Sequence, residues 1–118
     1  MSEFKTKLSE VELNEIYLWV DTFKLSRPKK NINRDFSDGV LMAEVIHWSF
    51  PKMIDLHNYF PANNFDRKMI NWRLLNKKVF IKIGLHLKDS HFEALSNANP
   101  NCIECLLWHS KQSIENYK

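Results

Sequence analysis

An all-α fold with a single domain is predicted by three observations on the sequence. Apolar residues recur at helical spacing over several long stretches, and no segment alternates as a half-buried strand would. Only two Gly and four Pro occur in the 118 residues, and no stretch is dominated by Ser, Gly, Pro or one charge sign, so neither a linker nor a low-complexity tail is evident. A composition that is 44% hydrophobic and 26% charged suits one globular core. We therefore predict one domain over residues 1–118, with its core over about 9–115.

The first helix is predicted to begin at Ser9. Ser9 and Glu12 have the spacing of a capping box, and Leu8 and Leu13 can form the hydrophobic staple that accompanies it. Apolar residues then recur at helical spacing. We expect the helix to end near Lys24, before a proline-containing break.

A second helix is predicted to begin around Ser37 and Asp38 and to run to Pro51. Either of the first two side chains can cap its start, and the proline ends it. The helix is apolar nearly all round, which predicts a central position. We interpret Asp38 and the nearby Asp35 as caps and helix-dipole partners rather than as an acid/base pair. Residues 51–64 are predicted to form an irregular connection.

A third helix is predicted over residues 65–83, with Gly84 just after its end. At about 100° per residue, two opposite faces of this helix are apolar. One face carries Trp72, Leu75, Val79 and Ile83, and the other carries Ile70, Leu74 and Ile81. The pattern predicts burial on two sides, with the basic residues in the seams between the apolar faces.

Two further helices complete the predicted fold. A short one covers residues 90–96, and the last one has Asn99 as its N-cap and Pro100 as its first residue.

The tryptophans fall on apolar faces, which predicts core positions rather than platforms for stacking bases. These residues are Trp19, Trp48, Trp72 and Trp108.

The charges are distributed unevenly along the chain. Residues 22–34, the first basic segment, hold five Lys or Arg and no acid, and residues 67–88, the second basic segment, hold seven and no acid. The two segments together carry +12, whereas the rest of the chain, with 5 bases and 14 acids, carries −9. This distribution predicts a basic side and an acidic side, and an acidic macromolecule as partner.

Cys102-x-x-Cys105, followed by His109, could be a redox or zinc site, because the three residues share one helical face. A structural zinc site needs a fourth ligand, and no second adjacent pair of His or Cys supplies one. We favour buried thiols at core spacing and expect no metal or cofactor.

So few cysteines indicate a reducing compartment, and no apolar run resembles a signal peptide or a membrane span. We therefore expect an intracellular, soluble protein.

Catalytic motifs are absent from the sequence. It contains no G-x-S-x-G or H-E-x-x-H pattern, and its only glycines, Gly39 and Gly84, cannot form a phosphate-binding loop. We therefore expect a binding module and not an enzyme.

Two stretches resemble the calponin-homology family. Residues 35–46 (DFSDGVLMAEVI) are similar to the signature of that domain, and residues 71–76 (NWRLLN) with Gly84 resemble its central helix. The resemblance implies an all-α calponin-homology fold with four major helices plus short helices.

Shorter stretches narrow the resemblance to the sperm-flagellar calponin-homology proteins, also called CLAMP. They are residues 25–32 (LSRPKKNI), 50–53 (FPKM) and 57–59 (HNY), and the match extends over about residues 17–107. The resemblance implies binding or bundling of microtubules in the axoneme of cilia and flagella, within the cytoplasmic cytoskeleton. Many actin-binding relatives carry two such domains in tandem, and a single amino-terminal copy is closer to the microtubule-binding pattern.

The oligomeric state is predicted from the absence of a coiled-coil pattern. Residues 1–118 hold no heptad repeat sustained over three or four heptads, so we expect this chain to be monomeric. The resemblance implies that the full-length protein is dimeric through a C-terminal coiled coil.

The candidate contact residues are seven bases from the two basic segments. Tubulin presents an acidic surface with Glu-rich tails, and a basic face is attracted to such a polyanion. We predict microtubule contacts at Arg27, Lys29, Lys30 and Arg34, in and beside a loop stiffened by proline, and at Lys77, Lys78 and Lys82. Two alternatives remain open, an actin-filament-binding domain and a basic module that binds anionic lipid or nucleic acid. We expect no nucleic-acid partner and no membrane span.

Overall fold

The computed structural model describes residues 7–28 and 30–117. Within these residues the chain forms α-helices and short helical turns and no β-strand, so the predicted all-α fold is confirmed. The α-helices are α1 Glu10–Asp21, α2 Ile32–Asp35, α3 Val40–Ser49, α4 Phe65–Leu75, α5 Asp89–Ser96 and α6 Cys102–Tyr117. A 3-10 turn covers Leu56–Asn58, and a π-helical turn, Asn76–Phe80, follows α4 directly.

The start of α1 confirms the predicted capping box. The backbone N–H of Glu12 donates to Ser9 Oγ at 3.2 Å, and the backbone N–H of Ser9 donates to Glu12 Oε1 at 2.9 Å. The helix ends at Asp21, three residues before the expected position. Thr22 Oγ1 donates to the Trp19 carbonyl at 2.6 Å, and this bond satisfies a carbonyl of the last turn.

Helix α3 is the central helix, as its composition predicts. Six of its ten residues are buried. Two side chains of α4 bond the residues that lead into it. Trp72 Nε1 donates to the Ser37 carbonyl, and Asn71 Nδ2 donates to the carbonyls of Asp38 and Phe60, each at 2.8 Å. These bonds hold Ser37 and Asp38, which form the entry to α3, against α4.

Helix α3 begins two residues later than predicted. Its N-cap is Gly39, at φ +84°. Asp38, the residue before the N-cap, accepts a hydrogen bond from the Val40 N–H at 3.0 Å. A Cβ at Gly39 would lie 3.2 Å from Asn71 Cβ. Glycine is therefore favoured at this position both by the left-handed backbone and by the close approach of α4.

The prediction that the third helix is buried on two sides is wrong. Trp72, Leu75, Val79 and Ile83 are buried as expected, but Ile70 and Ile81 on the opposite face are 61% and 56% exposed. In the π-helical turn Ile81 N–H donates to the Asn76 carbonyl at 3.1 Å, so the regular helical spacing is shifted by one residue. The shift places both Val79 and Phe80 in the core. Gly84 follows with φ +86°, as predicted for a residue just after the end of a helix.

Helix α5 spans Asp89–Ser96, close to its predicted range, and α6 begins later than predicted. Asn99 and Pro100 were expected to open the last helix, but α6 begins at Cys102. Asn101 has φ +69°, a left-handed conformation that interrupts the helix after Pro100. Helix α6 packs against α1, α2 and α5.

The tryptophans do not all lie in the core. Trp72 is buried, Trp19 and Trp108 are half-buried, and Trp48 is 55% exposed. Trp48 lies near the end of α3, where its Nε1 donates to the Lys24 carbonyl at 3.2 Å. The expectation of a core position is therefore wrong for Trp48, because its indole binds a neighbouring backbone at the surface.

No helix in residues 7–28 and 30–117 is long and apolar enough to cross a membrane.

Candidate binding surface

The first basic segment lies along α3, antiparallel to it. The Lys24 carbonyl accepts the bond from Trp48. One helical turn earlier on α3, Glu44 accepts from the backbone N–H of Ser26 at 2.8 Å and from its Oγ at 2.5 Å. Arg27 then reaches Asp38, just before α3 begins. The segment is thus fastened to the fold at three successive points.

Arg27 serves mainly to hold the segment in place. Its Nη2 donates to Asp38 Oδ2 at 2.8 Å and its Nη1 donates to the Asp35 carbonyl at 2.9 Å, and the Arg27 side chain is only 30% exposed. Asp38 is buried, and its Oδ2 also accepts from the Ala62 N–H at 3.1 Å. The expected exposed charge at Arg27 is therefore largely neutralised by a buried carboxylate.

Asp35 and Asp38 both accept hydrogen bonds from the backbone, but only Asp38 does so at the start of α3, as interpreted from the sequence. Asp35 Oδ2 accepts from the N–H groups of Lys30 and Asn31, at 2.8 and 2.9 Å. Asn31 in turn caps α2 by accepting from the Arg34 N–H at 3.2 Å. Sequence reasoning did not predict α2, although Asn31 in the position of an N-cap was a signal for it.

The remaining candidates of the first basic segment differ from Arg27. Lys30 and Arg34 are exposed, and neither forms an ion pair with another residue that the structure describes. Lys29 lies outside the described residues. Lys30 and Arg34 therefore present positive charge that no described carboxylate neutralises.

In the second basic segment, some bases are used within the fold. Lys68 Nζ donates to Ser37 Oγ at 3.1 Å and to the Ser96 carbonyl at 3.3 Å, which ties α4 to the entry of α3 and to α5. Arg73 pairs with Asp89 at 3.1 Å, and both side chains are more than half exposed. Such an exposed pair contributes little to stability.

The three candidates of the second basic segment are all exposed. Lys77 and Lys78 lie in the π-helical turn, and Lys82 lies beyond it, next to the end of α3 and the end of α6. None of the three pairs with an acid among residues 7–28 and 30–117. Since the opposite face of α4 is open rather than buried, these lysines are not confined to narrow seams.

The two cysteines are packed against the core. Cys105 is buried and Cys102 is half-buried beside it at the start of α6. Burial raises the pKa of the Cys102 thiol, and the nearby carboxylate of Glu104 raises it further. The described part of the chain holds no group of three or more His, Cys, Asp or Glu placed to bind a metal ion. Burial and the raised pKa of Cys102 favour packed thiols over reactive ones.

Cys102 is expected to alkylate more slowly than a free peptide cysteine at neutral pH. Its raised pKa leaves a smaller thiolate fraction, so the reaction rate should continue to increase as the pH rises above the ordinary thiol range. Mass spectrometry of iodoacetamide-treated protein over a pH series measures the rate. A rate at neutral pH equal to that of the free cysteine, or stoichiometric zinc in purified protein, would contradict the packed-thiol interpretation.

The domain has four longer helices, α1, α3, α4 and α6, with α3 largely buried and α4 bonded to the residues that precede it, as expected for a calponin-homology-like domain. The family model described as "CH-like domain in sperm protein" matches residues 16–112. The chain therefore belongs to this family of sperm-protein CH-like domains.

Curated relatives agree with this membership. The chain is 43% identical to sperm flagellar protein 1 of Mus musculus over 111 residues, which are 94% of this chain and 47% of the relative. The Homo sapiens protein of the same name is 44% identical over 110 residues, covering 93% and 47%. The Xenopus laevis protein is 44% identical over 109 residues, covering 92% and 48%. The chain spans about half the length of the relatives that it matches.

Proposed function

We propose that this chain is a non-enzymatic microtubule-binding module. Within a longer protein that dimerises through a coiled coil, it would contribute to bundling or stabilising microtubules in the axoneme of cilia or flagella. The relatives are named as sperm flagellar proteins, which supports a flagellar cytoskeletal setting for this chain as well.

The observation that carries the proposal is that five of the predicted contact residues are exposed and form no ion pair with a residue that the structure describes. Both basic segments contribute to this set, which consists of Lys30, Arg34, Lys77, Lys78 and Lys82. Charges that are not neutralised within the fold remain available to an acidic polymer, and binding then releases the counterions of that polymer. Lys29 is proposed as a further contact from its place in the sequence.

The role proposed for Arg27 differs from that of the other candidates. Its pairing with Asp38 leaves little free charge for a partner, but it holds the segment that presents Lys30. Because the segment is fastened before binding, less conformational entropy is lost when a partner orders it. Arg27 thus supports the contact by positioning its neighbours.

Co-sedimentation with each polymer tests the proposal. We expect the chain to pellet with microtubules at low salt and much less with actin filaments, and its binding to microtubules to weaken steeply as salt is added. Bound fraction against polymer concentration gives the affinity in each case. Equal or stronger pelleting with actin filaments would favour the actin-binding alternative and contradict the proposal.

A further inference from the structure

A groove lies where the ends of α3 and α6 approach the residues that follow the π-helical turn. Its volume is about 550 Å³, and its walls include Phe50, Pro51, Lys52, Met53, Lys82 and Tyr117. We call it the Phe50–Tyr117 groove. Of its residues only Lys82 was among the sequence-predicted contacts, because the groove joins three parts of the chain that are distant in sequence.

The floor of the groove is apolar and aromatic. The rings of Phe50 and Tyr117 meet edge to face, with centroids 5.4 Å apart and an interplanar angle of 76°. Phe50 and Met53 are half-buried, whereas Tyr117 is 52% exposed. Aromatic surface of this kind can contact an apolar or aromatic side chain of a partner with little loss of conformational entropy.

The charge of the groove has one sign. Lys52 and Lys82 are exposed, and no Asp or Glu is among the described residues that line the groove. Neither lysine forms an ion pair with another described residue. A lysine can cover an apolar floor with its aliphatic stem while its ammonium group faces solvent. The groove therefore combines apolar contact area with two cations available to a ligand.

We propose that the Phe50–Tyr117 groove binds an acidic peptide segment that carries an aromatic or apolar residue among its glutamates. The carboxylates would pair with Lys52 and Lys82, and the apolar side chain would lie against Tyr117 and Phe50. This inference rests on the proposed function, in which the Glu-rich tails of tubulin are the source of such a segment. It assigns the tails to this groove, separately from Lys30 and Arg34.

The shape of the groove favours a peptide over a nucleic acid. A single strand of nucleic acid is bound by a row of cations along its backbone and by open aromatic faces on which bases stack. Here there are two lysines, and the Phe50 ring is half-buried with Tyr117 packed against it. A volume of about 550 Å³ accommodates a few side chains.

Fluorescence anisotropy with two labelled probes tests the inference. One probe is a short glutamate-rich peptide that ends in tyrosine, and the other is the same peptide ending in glycine. We expect the unmodified chain to bind the tyrosine peptide more tightly. Lys52→Glu together with Lys82→Glu should weaken its binding at least about tenfold. Tyr117→Ala should remove the difference between the two peptides.

A matched control separates the effect of the groove lysines on peptide binding from the effect of net charge. Lys7→Glu together with Arg67→Glu makes the same change in charge at two exposed residues outside the groove, and peptide binding should stay within about twofold. Equal weakening by the two double variants would overturn the inference. Lys52→Gln with Lys82→Gln provides a second, neutral variant if circular dichroism shows that the glutamate variant has lost its helices.

Two further measurements distinguish this inference from the proposed function. If the unmodified chain fails to pellet with microtubules but binds the tyrosine peptide through the groove, the proposed function fails and the peptide site stands. If microtubules whose tails have been removed by proteolysis bind the chain as tightly as intact ones, the assignment to tubulin tails is wrong. A groove variant that loses binding to oligo(dT) or to phosphatidylserine vesicles, but not to the peptide, would overturn the peptide proposal.

Discussion

Replacing Lys30 and Arg34 together by glutamate is expected to lower microtubule affinity at least about tenfold and to flatten its salt dependence. Both side chains are exposed, and neither pairs with a described acid, so the change reverses two charges available to the polymer. Co-sedimentation at several salt concentrations measures both effects. Arg27 is left unchanged in this variant, because its replacement would also break the pair with Asp38.

The same control, Lys7→Glu with Arg67→Glu, tests whether position matters. It changes the net charge equally at exposed residues that are not proposed as contacts. If the control weakens binding as much as the Lys30 and Arg34 variant, the attraction depends on net charge alone. If the variant binds normally with unchanged helix content by circular dichroism, the first basic segment is not the contact.

The second large effect is expected on stability, from Asp38→Ala. Asp38 is buried and accepts hydrogen bonds from Arg27, from the Val40 N–H and from the Ala62 N–H. Its removal leaves two backbone donors and a guanidinium without their acceptor, and we expect the free energy of unfolding to fall by about 3 kcal/mol. Urea unfolding followed by circular dichroism measures the loss.

Asp89→Ala is the matched control for this prediction. Asp89 also pairs with an arginine, Arg73, but both side chains are more than half exposed. Its removal should change the free energy of unfolding by no more than about 1 kcal/mol, because an exposed pair is solvated in either state. Similar losses for the two variants would show that Asp38 does not hold the first basic segment to the fold.

The charged residues around the first basic segment are expected to have two different roles. Arg27 and Asp38 stabilise the segment, and Lys30 and Arg34 are proposed to contact the partner from it. Charge reversal at Arg27 is therefore a poor test of binding, since it would place two carboxylates together beside the start of α3. Measurements of affinity and of unfolding on the same variants separate the two roles.

Features that depend on neighbouring residues were predictable from the sequence. The capping box of Ser9 and Glu12 is present because both of its bonds join residues three apart. The burial of α3 follows from a composition that is apolar nearly all round, and Gly84 follows the third helical stretch with the positive φ expected there. The acid-free basic segments were also evident, because they require only the order of the residues.

Features that depend on contacts between distant residues required the tertiary structure. The pairing of Arg27 with Asp38 depends on the segment folding back along α3, which helical periodicity does not show. The exposure of Ile70 and Ile81 depends on where the π-helical turn shifts the helical spacing and on which faces of α4 have neighbours.

The helical class, the local caps and the positions of the charges follow from the spacing of residues along the chain. The folded chain was needed to show which charges remain available, and that Phe50, Lys52, Lys82 and Tyr117 line one groove. Neutralisation and burial depend on distances in space, which the order of the residues does not give. Residues 52, 82 and 117 come together only when α3, the π-helical turn and α6 have packed around the common core.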